Sequence, residues 1–218
     1  PWGYALVFVL GAVALWLPWP AALTAADPWR RDGWGRLARL ALATAGLAFF
    51  VLWHTRTHLL GDGYLMLREL GMLGDRTGNE PLALWVLAKL YRAELGLGAE
   101  AVYQMASYAA GVCYIGLSFA VAAALSAERK GRWITLGILL SAGYLQLFCG
   151  YVENYPPLFA GTLLYLWGGV LLMRGQLPLW VLNGGLALLM TYHFIAAMLG
   201  PSLLVATWLG WRRGHGLG

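Results

Sequence analysis

The sequence predicts an all-α fold: a polytopic transmembrane helical bundle of about seven membrane segments, with a large outer loop holding two short interfacial amphipathic helices. Three observations predict it. The 218-residue chain is 60% hydrophobic and only 11% charged. Several apolar runs are long enough to cross a hydrocarbon layer of about 30 Å. The basic residues gather in alternate short loops, where they orient membrane helices. A net charge of +5 would suggest nucleic acid in a soluble domain, but here the loop clustering accounts for it, so nucleic-acid binding is a poor reading.

The apolar segments, in order, are Trp2 to Leu23, Leu37 to Trp53, Ala101 to Leu125, Trp133 to Cys149, Pro157 to Met173, Leu177 to Met190, and Phe194 to Trp211. The first has no basic n-region and is longer than a signal-peptide core, so it reads as a retained span. The sixth is short for a span and runs into the seventh through Thr191, Tyr192 and His193, which suggests a hairpin dipping into the bilayer from one side. Cys113 and Cys149 fall inside apolar runs at different depths, so inert, unpaired thiols are expected. Trp16, Trp19, Trp133, Trp180, Trp208 and Trp211 fall near segment ends, as interfacial anchors do. The chain starts at Pro1 and stops at Gly218 just past an apolar run, and residues 1–218 are expected to be a single transmembrane domain within a longer protein.

Strict alternation puts Arg30, Arg31, Arg36, Arg39, Arg129, Lys130, Arg132, Arg174, Arg212 and Arg213 on one side, ten of the fifteen basic residues. That side is expected to be cytoplasmic. The other side receives Asp62, Glu69, Asp75, Glu80, Glu94, Glu100 and Glu153, together with His54, His58 and His193. Every group suited to chemistry is thus expected at the outer face.

The outer loop, 54–100, is too polar to cross a membrane and too apolar for a free linker. The stretch from Tyr64 to Leu70 reads as one amphipathic helix and Leu82 to Leu95 as a second, with Trp85, Lys89 and Arg92 suited to an interface. Between them GDRTGNEP, residues 74–81, has turn composition, and the second helix is expected to start near Pro81. Asp62 precedes the first helix, where it can act as an N-cap, as a reacting group, or as both.

Three stretches, GDGYLMLREL (61–70), NEPLALWVLAKLY (79–91) and GLGAEAVYQMASYAAGV (96–112), carry a resemblance in their order. Two later ones extend it: GYVENYPPLF (150–159), with an acid ahead of a proline–leucine pair, and LALLMTYHFIAAMLGPSLL (186–204), with His193 near a basic position. Together, over about residues 37–210, they resemble the GT-C superfamily of glycosyltransferases, and within it the aminoarabinose and mannose transferases that use lipid-linked sugars. Order and spacing carry the resemblance. The acid pair frequent in the first motif is Asp62–Gly63 here, leaving two alternatives: the second acid comes from Glu153 or Asp75, or a single acid suffices.

The resemblance implies an enzyme of the inner (plasma) membrane of a bacterium. It would move a sugar from a polyprenyl-phosphate donor to a lipid, glycan or protein acceptor on the extracytoplasmic face, with inversion. Asp62 is the implied general base and Glu153 a second catalytic acid. Arg56, Arg68, Arg76 and His193 are candidates for the donor phosphate, since positive charge there stabilises the leaving group. The alternative for each of these arginines is interfacial snorkelling toward lipid headgroups, which is the more common fate of such a side chain. Tyr64, Asn154 and Tyr155 are candidates for substrate contact. An acid at membrane depth beside two prolines, as Glu153 is, suggests a broken helix end facing a cavity. The resemblance leaves a divalent cation, Mg or Mn, held by Asp62 and Glu153 as an open alternative, since some relatives use one and others do not. His54 and His58 lack the third ligand that a zinc site needs. The competing readings are a transporter or flippase for a lipid-linked or polar substrate, and a non-catalytic scaffold. The scaffold predicts Asp62 and Glu153 pointing apart, with no cavity.

Overall fold

A computed structural model describes Trp29 and residues 36–58, 61–72, 80–93 and 96–212. The expected first segment, Trp2 to Leu23, lies outside the described residues, as do Arg76, Asp75 and most of the turn that contains them. Among the described residues the fold is all-helical. The helices are α1 (Arg36–Leu52), α2 (Gly63–Met72), α3 (Pro81–Arg92), α4 (Ala99–Leu125), α5 (Arg129–Leu140), α6 (Tyr155–Met173), α7 (Leu179–Tyr192) and α8 (Gly200–Arg212). Short 3-10 segments at Gly143–Phe148 and Phe194–Leu199 interrupt the series.

Two helices, α4 and α6, are long and apolar enough to cross a membrane, so seven full spans are not what the described residues contain. The Leu37–Trp53 run forms a 17-residue helix, and the last two runs form helices of 14 and 13 residues. In place of the expected Trp133–Cys149 span there is a 12-residue helix, Arg129–Leu140, that ends well before Cys149. The cause is local: Ser141, Ala142 and Gly143 follow, and Ser and Gly are weak helix residues with other uses for their backbone. The chain then turns toward α4, where Ser107 Oγ donates to the Leu147 carbonyl at 2.7 Å and accepts from Gly150 N–H at 3.2 Å.

The long helix α4 is the spine. Its small residues let neighbours approach closely, as in tightly packed membrane helices. At Gly111 an added Cβ would lie 2.5 Å from the Phe50 ring of α1 and 2.8 Å from Phe148 Cβ, and at Gly46 on α1 it would run into Ile115. The pairings Gly46–Ile115 and Phe50–Gly111 make α1 and α4 antiparallel. At this crossing the Phe148 ring packs at a tilt against Phe50 and Tyr114, with centroids 5.8 and 5.1 Å away. The Trp29 indole donates to the Phe119 carbonyl at 2.9 Å further along α4. Cys113 and Cys149 are free thiols, as expected.

Both amphipathic helices of the loop form. On α3 the buried residues are Ala83 and Leu87, four apart on one face. Leu87, with Leu70 of α2 and Val102 and Tyr103 of α4, makes a second apolar cluster around Val152. Trp85 is exposed beneath the Lys89 ammonium, 5.9 Å away. The helices have two distinct ends. At one, Arg174 after α6 donates to the Ala124 carbonyl of α4, and Arg132 of α5 donates to the Ala127 carbonyl. At the other, α1 finishes, α4 and α6 begin, and α7 finishes. Asp62, Glu80, Glu100, Glu153, His58 and His193 collect there.

Candidate functional site

The strap after α1 carries the first half of the site. Thr55 N–H donates to the Cys149 carbonyl at 2.7 Å, which ties the strap to the segment before α6. His58 is buried, with Nε2 3.2 Å from Glu100 Oε1 on the first turn of α4 and its ring edge-on to Tyr64 at 5.6 Å. Gln104 donates to the same Glu100 oxygen at 3.0 Å. The strap then turns through Gly61, whose φ of +82° is a left-handed conformation that favours glycine.

Asp62 follows, and its carbonyl accepts the Met66 N–H at 2.9 Å as the first bond of α2. Its own N–H donates to Glu153 Oε1 at 2.8 Å, a contact between residues 91 apart in sequence. Asp62 is exposed, and among the described residues no hydrogen-bond donor reaches its carboxylate. Asp62 thus opens α2 through its backbone carbonyl, and among the described residues its exposed carboxylate makes no cap bond to a helix N–H.

Glu153 is buried in the turn between the 3-10 segment and α6. Burial pushes its carboxyl above the ordinary range. The Asp62 N–H opposes this, the nearby Asp62 and Glu80 charges add to it, and the Asn154 N–H again opposes it. The folded state thus holds this proton more tightly than the unfolded chain, and the stability it contributes is lost as pH rises through the folded value. As pH is raised from the ordinary 4.5, thermal unfolding of the wild type should shift downward relative to Glu153→Gln. Parallel curves for the two proteins would contradict that burial.

Asn154, next in sequence and also buried, donates from Nδ2 to Glu80 Oε2. The other Glu80 oxygen lies 2.8 Å from His193 Nε2. His193 Nδ1 accepts the Ile195 N–H at 3.3 Å, so the proton sits on Nε2 and is donated to Glu80. Tyr155 and Phe194 flank the imidazole at 5.1 and 5.3 Å between centroids. Glu80, at the N-cap position of α3, thereby joins three elements: α3, the start of α6 and the end of α7. Sequence reading missed its role. The available signal was an acid directly before Pro81 at the start of a helix.

Asp62, Glu153, Asn154, Tyr155 and His193 thus share one end of the bundle, linked through Glu80. Tyr64 is exposed on the outside of α2, against His58. Arg56 and Arg68 are exposed and make no contact with this cluster among the described residues. Nor does any group of three or more His, Cys, Asp or Glu among those residues converge as a metal site requires.

An apolar groove of about 390 Å³ starts beside the cluster, between α6 and α7. Leu82, Pro157 and Tyr192, near neighbours of Glu80, Asn154 and His193, line its near end, and Leu171 and Leu177 its far end. From Pro157 to Leu171 the α6 wall runs about 20 Å at the helical rise. Leu164 and Leu188 line the groove yet are exposed, so it is open along one side. No protein-family model, no curated protein and no solved structure matches this chain.

Proposed function

We propose that this chain is a membrane-embedded glycosyltransferase of the GT-C type, taking a sugar from a polyprenyl-phosphate donor. The observation that carries this reading is the joining of an acid-rich cluster to an apolar groove of about 390 Å³ at one end of the bundle. An amphiphile with a polar head and a long hydrocarbon tail fits that combination. The groove takes the tail by burial of apolar surface, and the head stands beside Asp62. Helices α4 and α6 cross the membrane in this arrangement, the arginine-bearing end is cytoplasmic, and the cluster lies at the extracytoplasmic face of a bacterial inner membrane.

Asp62 takes the proton of the acceptor hydroxyl or amine as the acceptor atom bonds to the anomeric carbon. The bond from that carbon to the phosphate oxygen breaks, and the electron pair leaves with the phosphate, giving inversion. Arg56 and Arg68, on the same strap and helix as Asp62, supply positive charge to the phosphate. His193 is committed to Glu80 and acts by fixing the floor of the site. The transporter reading is less well supported, because the groove is lined by apolar residues and offers a sugar head few polar partners. The bond between Asp62 and Glu153 and the presence of the groove also speak against a scaffold.

The test is transfer of labelled sugar from a polyprenyl-phosphate donor to an acceptor extract by the full-length protein. A covalent product supports the transferase, whereas flux across vesicles without product supports the transporter. Groove occupancy has its own test. Nothing lies within 4 Å of a Cβ added at Gly185, which lines the groove, or at Gly184, which does not. Gly185→Leu should raise the KM for the donor by about tenfold, equivalent to about 1.4 kcal/mol, while Gly184→Leu leaves it near wild type. Equal KM values in the two variants would remove the groove from donor binding.

A further inference from the structure

We propose that Glu153 is a positioning residue that fixes Asp62 through its backbone N–H, in a space that Gly61 leaves open. The inference rests on the reading of Asp62 as the reacting base. Glu153 Oε1 receives the Asp62 N–H at 2.8 Å from a side chain that is only 6% exposed. Gly61, immediately before Asp62, is what admits the carboxylate: a Cβ built there would fall on Glu153 Oε1, and its φ of +82° is strained for any other residue. On the other flank, a Cβ at Gly63 would lie 2.8 Å from His58 Cβ and 3.0 Å from the Val152 carbonyl oxygen. Both neighbours of Asp62 are thus pressed against the turn that carries Glu153.

Glu153 itself is held from both sides in sequence. Val152 is fully buried in the cluster beneath α2 and α3, and Asn154 is bonded to Glu80. The strap is pinned at Thr55 and His58 as well. With the Asp62 N–H bonded and its carbonyl committed to Met66, the backbone fixes the position and direction of the Asp62 Cα–Cβ bond, from which the carboxylate reaches out. That matters for a base, because proton transfer needs heavy atoms within about 2.6–3.2 Å and a misplacement of about 1 Å can cost on the order of 100-fold. The contact requires an acceptor oxygen and not a charge. A glutamine at 153 supplies one and an alanine does not.

The experiment uses the full-length protein with Glu153→Gln, Glu153→Ala and Gly61→Ala, and reads two quantities on each. One is amide hydrogen exchange of the segment spanning residues 58–66, and the other is label transfer from the polyprenyl-phosphate donor. The expected result is at least tenfold faster exchange in Glu153→Ala and Gly61→Ala, with kcat down on the order of 100-fold and donor KM little changed. Glu153→Gln should keep the slow exchange and keep kcat within about tenfold of wild type. The proposal is overturned if Glu153→Gln retains slow exchange but loses turnover as fully as Asp62→Asn, since Glu153 would then act by its charge or proton. It is equally overturned if Glu153→Ala leaves exchange unchanged. A wild-type chain that transfers no label while exchange follows the expected pattern fails the transferase reading and leaves the hold on Asp62 standing.

Discussion

Replacing Asp62 by asparagine should lower sugar transfer by about 10²–10⁴-fold, the range typical for loss of a positioned general base. The protein should stay folded. The Asp62 side chain is exposed, and both hydrogen bonds that tie the residue down, to Glu153 and from Met66, use its backbone. An exposed isosteric change of this kind alters stability by no more than about 0.5 kcal/mol. The measurement is kcat at saturating polyprenyl-phosphate sugar together with a thermal unfolding curve on the same preparation. Full turnover in Asp62→Asn would take the base role away from this residue. Lost turnover with an unchanged unfolding curve would assign the defect to chemistry.

The opposite pattern is expected at Glu80. Its carboxylate accepts from His193 and Asn154, both buried, and its own side chain is 15% exposed. In Glu80→Ala the His193 Nε2–H and the Asn154 amide lose their acceptor together, and each buried donor left unpaired costs about 1–3 kcal/mol. The unfolding transition should fall by several degrees and exchange should quicken at the start of α3 and the end of α7. Glu80→Gln keeps one acceptor oxygen and should lie between the two. Because Glu80 is where α3, α6 and α7 meet, sugar transfer should fall in both variants in step with the loss of order. An unfolding curve for Glu80→Ala that overlays the wild type would show that this junction contributes little to the fold.

Sequence reading found the parts of the site that are written locally. The amphipathic α2 and α3 follow from apolar spacing, and the start of α6 from Pro156 and Pro157. Glu153 stood out as an acid in an apolar setting, and it meets Asp62 across 91 residues of chain. Glu80 did not stand out, because it closes a polar turn in which an acid is ordinary, and only its distant partners distinguish it. The same holds for His58 and Glu100, joined over 42 residues. Arg56 and Arg68 drew attention by charge alone, and charge does not say where a long side chain will lie. The segment count went astray for a related reason. Hydropathy between Trp133 and Cys149 is continuous, but the helix is not, because Ser141 to Gly143 end it and Ser107 of α4 gathers the chain that follows. That interruption delivers Tyr151 to Asn154 to the site. The groove left no local trace, since it depends on how two distant helices pack, with Gly161 of α6 against Leu189 of α7 and Gly168 against Leu182.

On the proposed function, the open flank of the groove, marked by exposed Leu164 and Leu188, sets how supply of the donor should be counted. A hydrocarbon chain that enters sideways never passes through water, so it arrives by diffusion in two dimensions and its abundance is a mole fraction among surrounding lipids. Adding inert lipid or detergent at fixed total donor should therefore slow transfer, although the bulk concentration is unchanged. Diluting protein and vesicles together in buffer should leave the rate per molecule as it was.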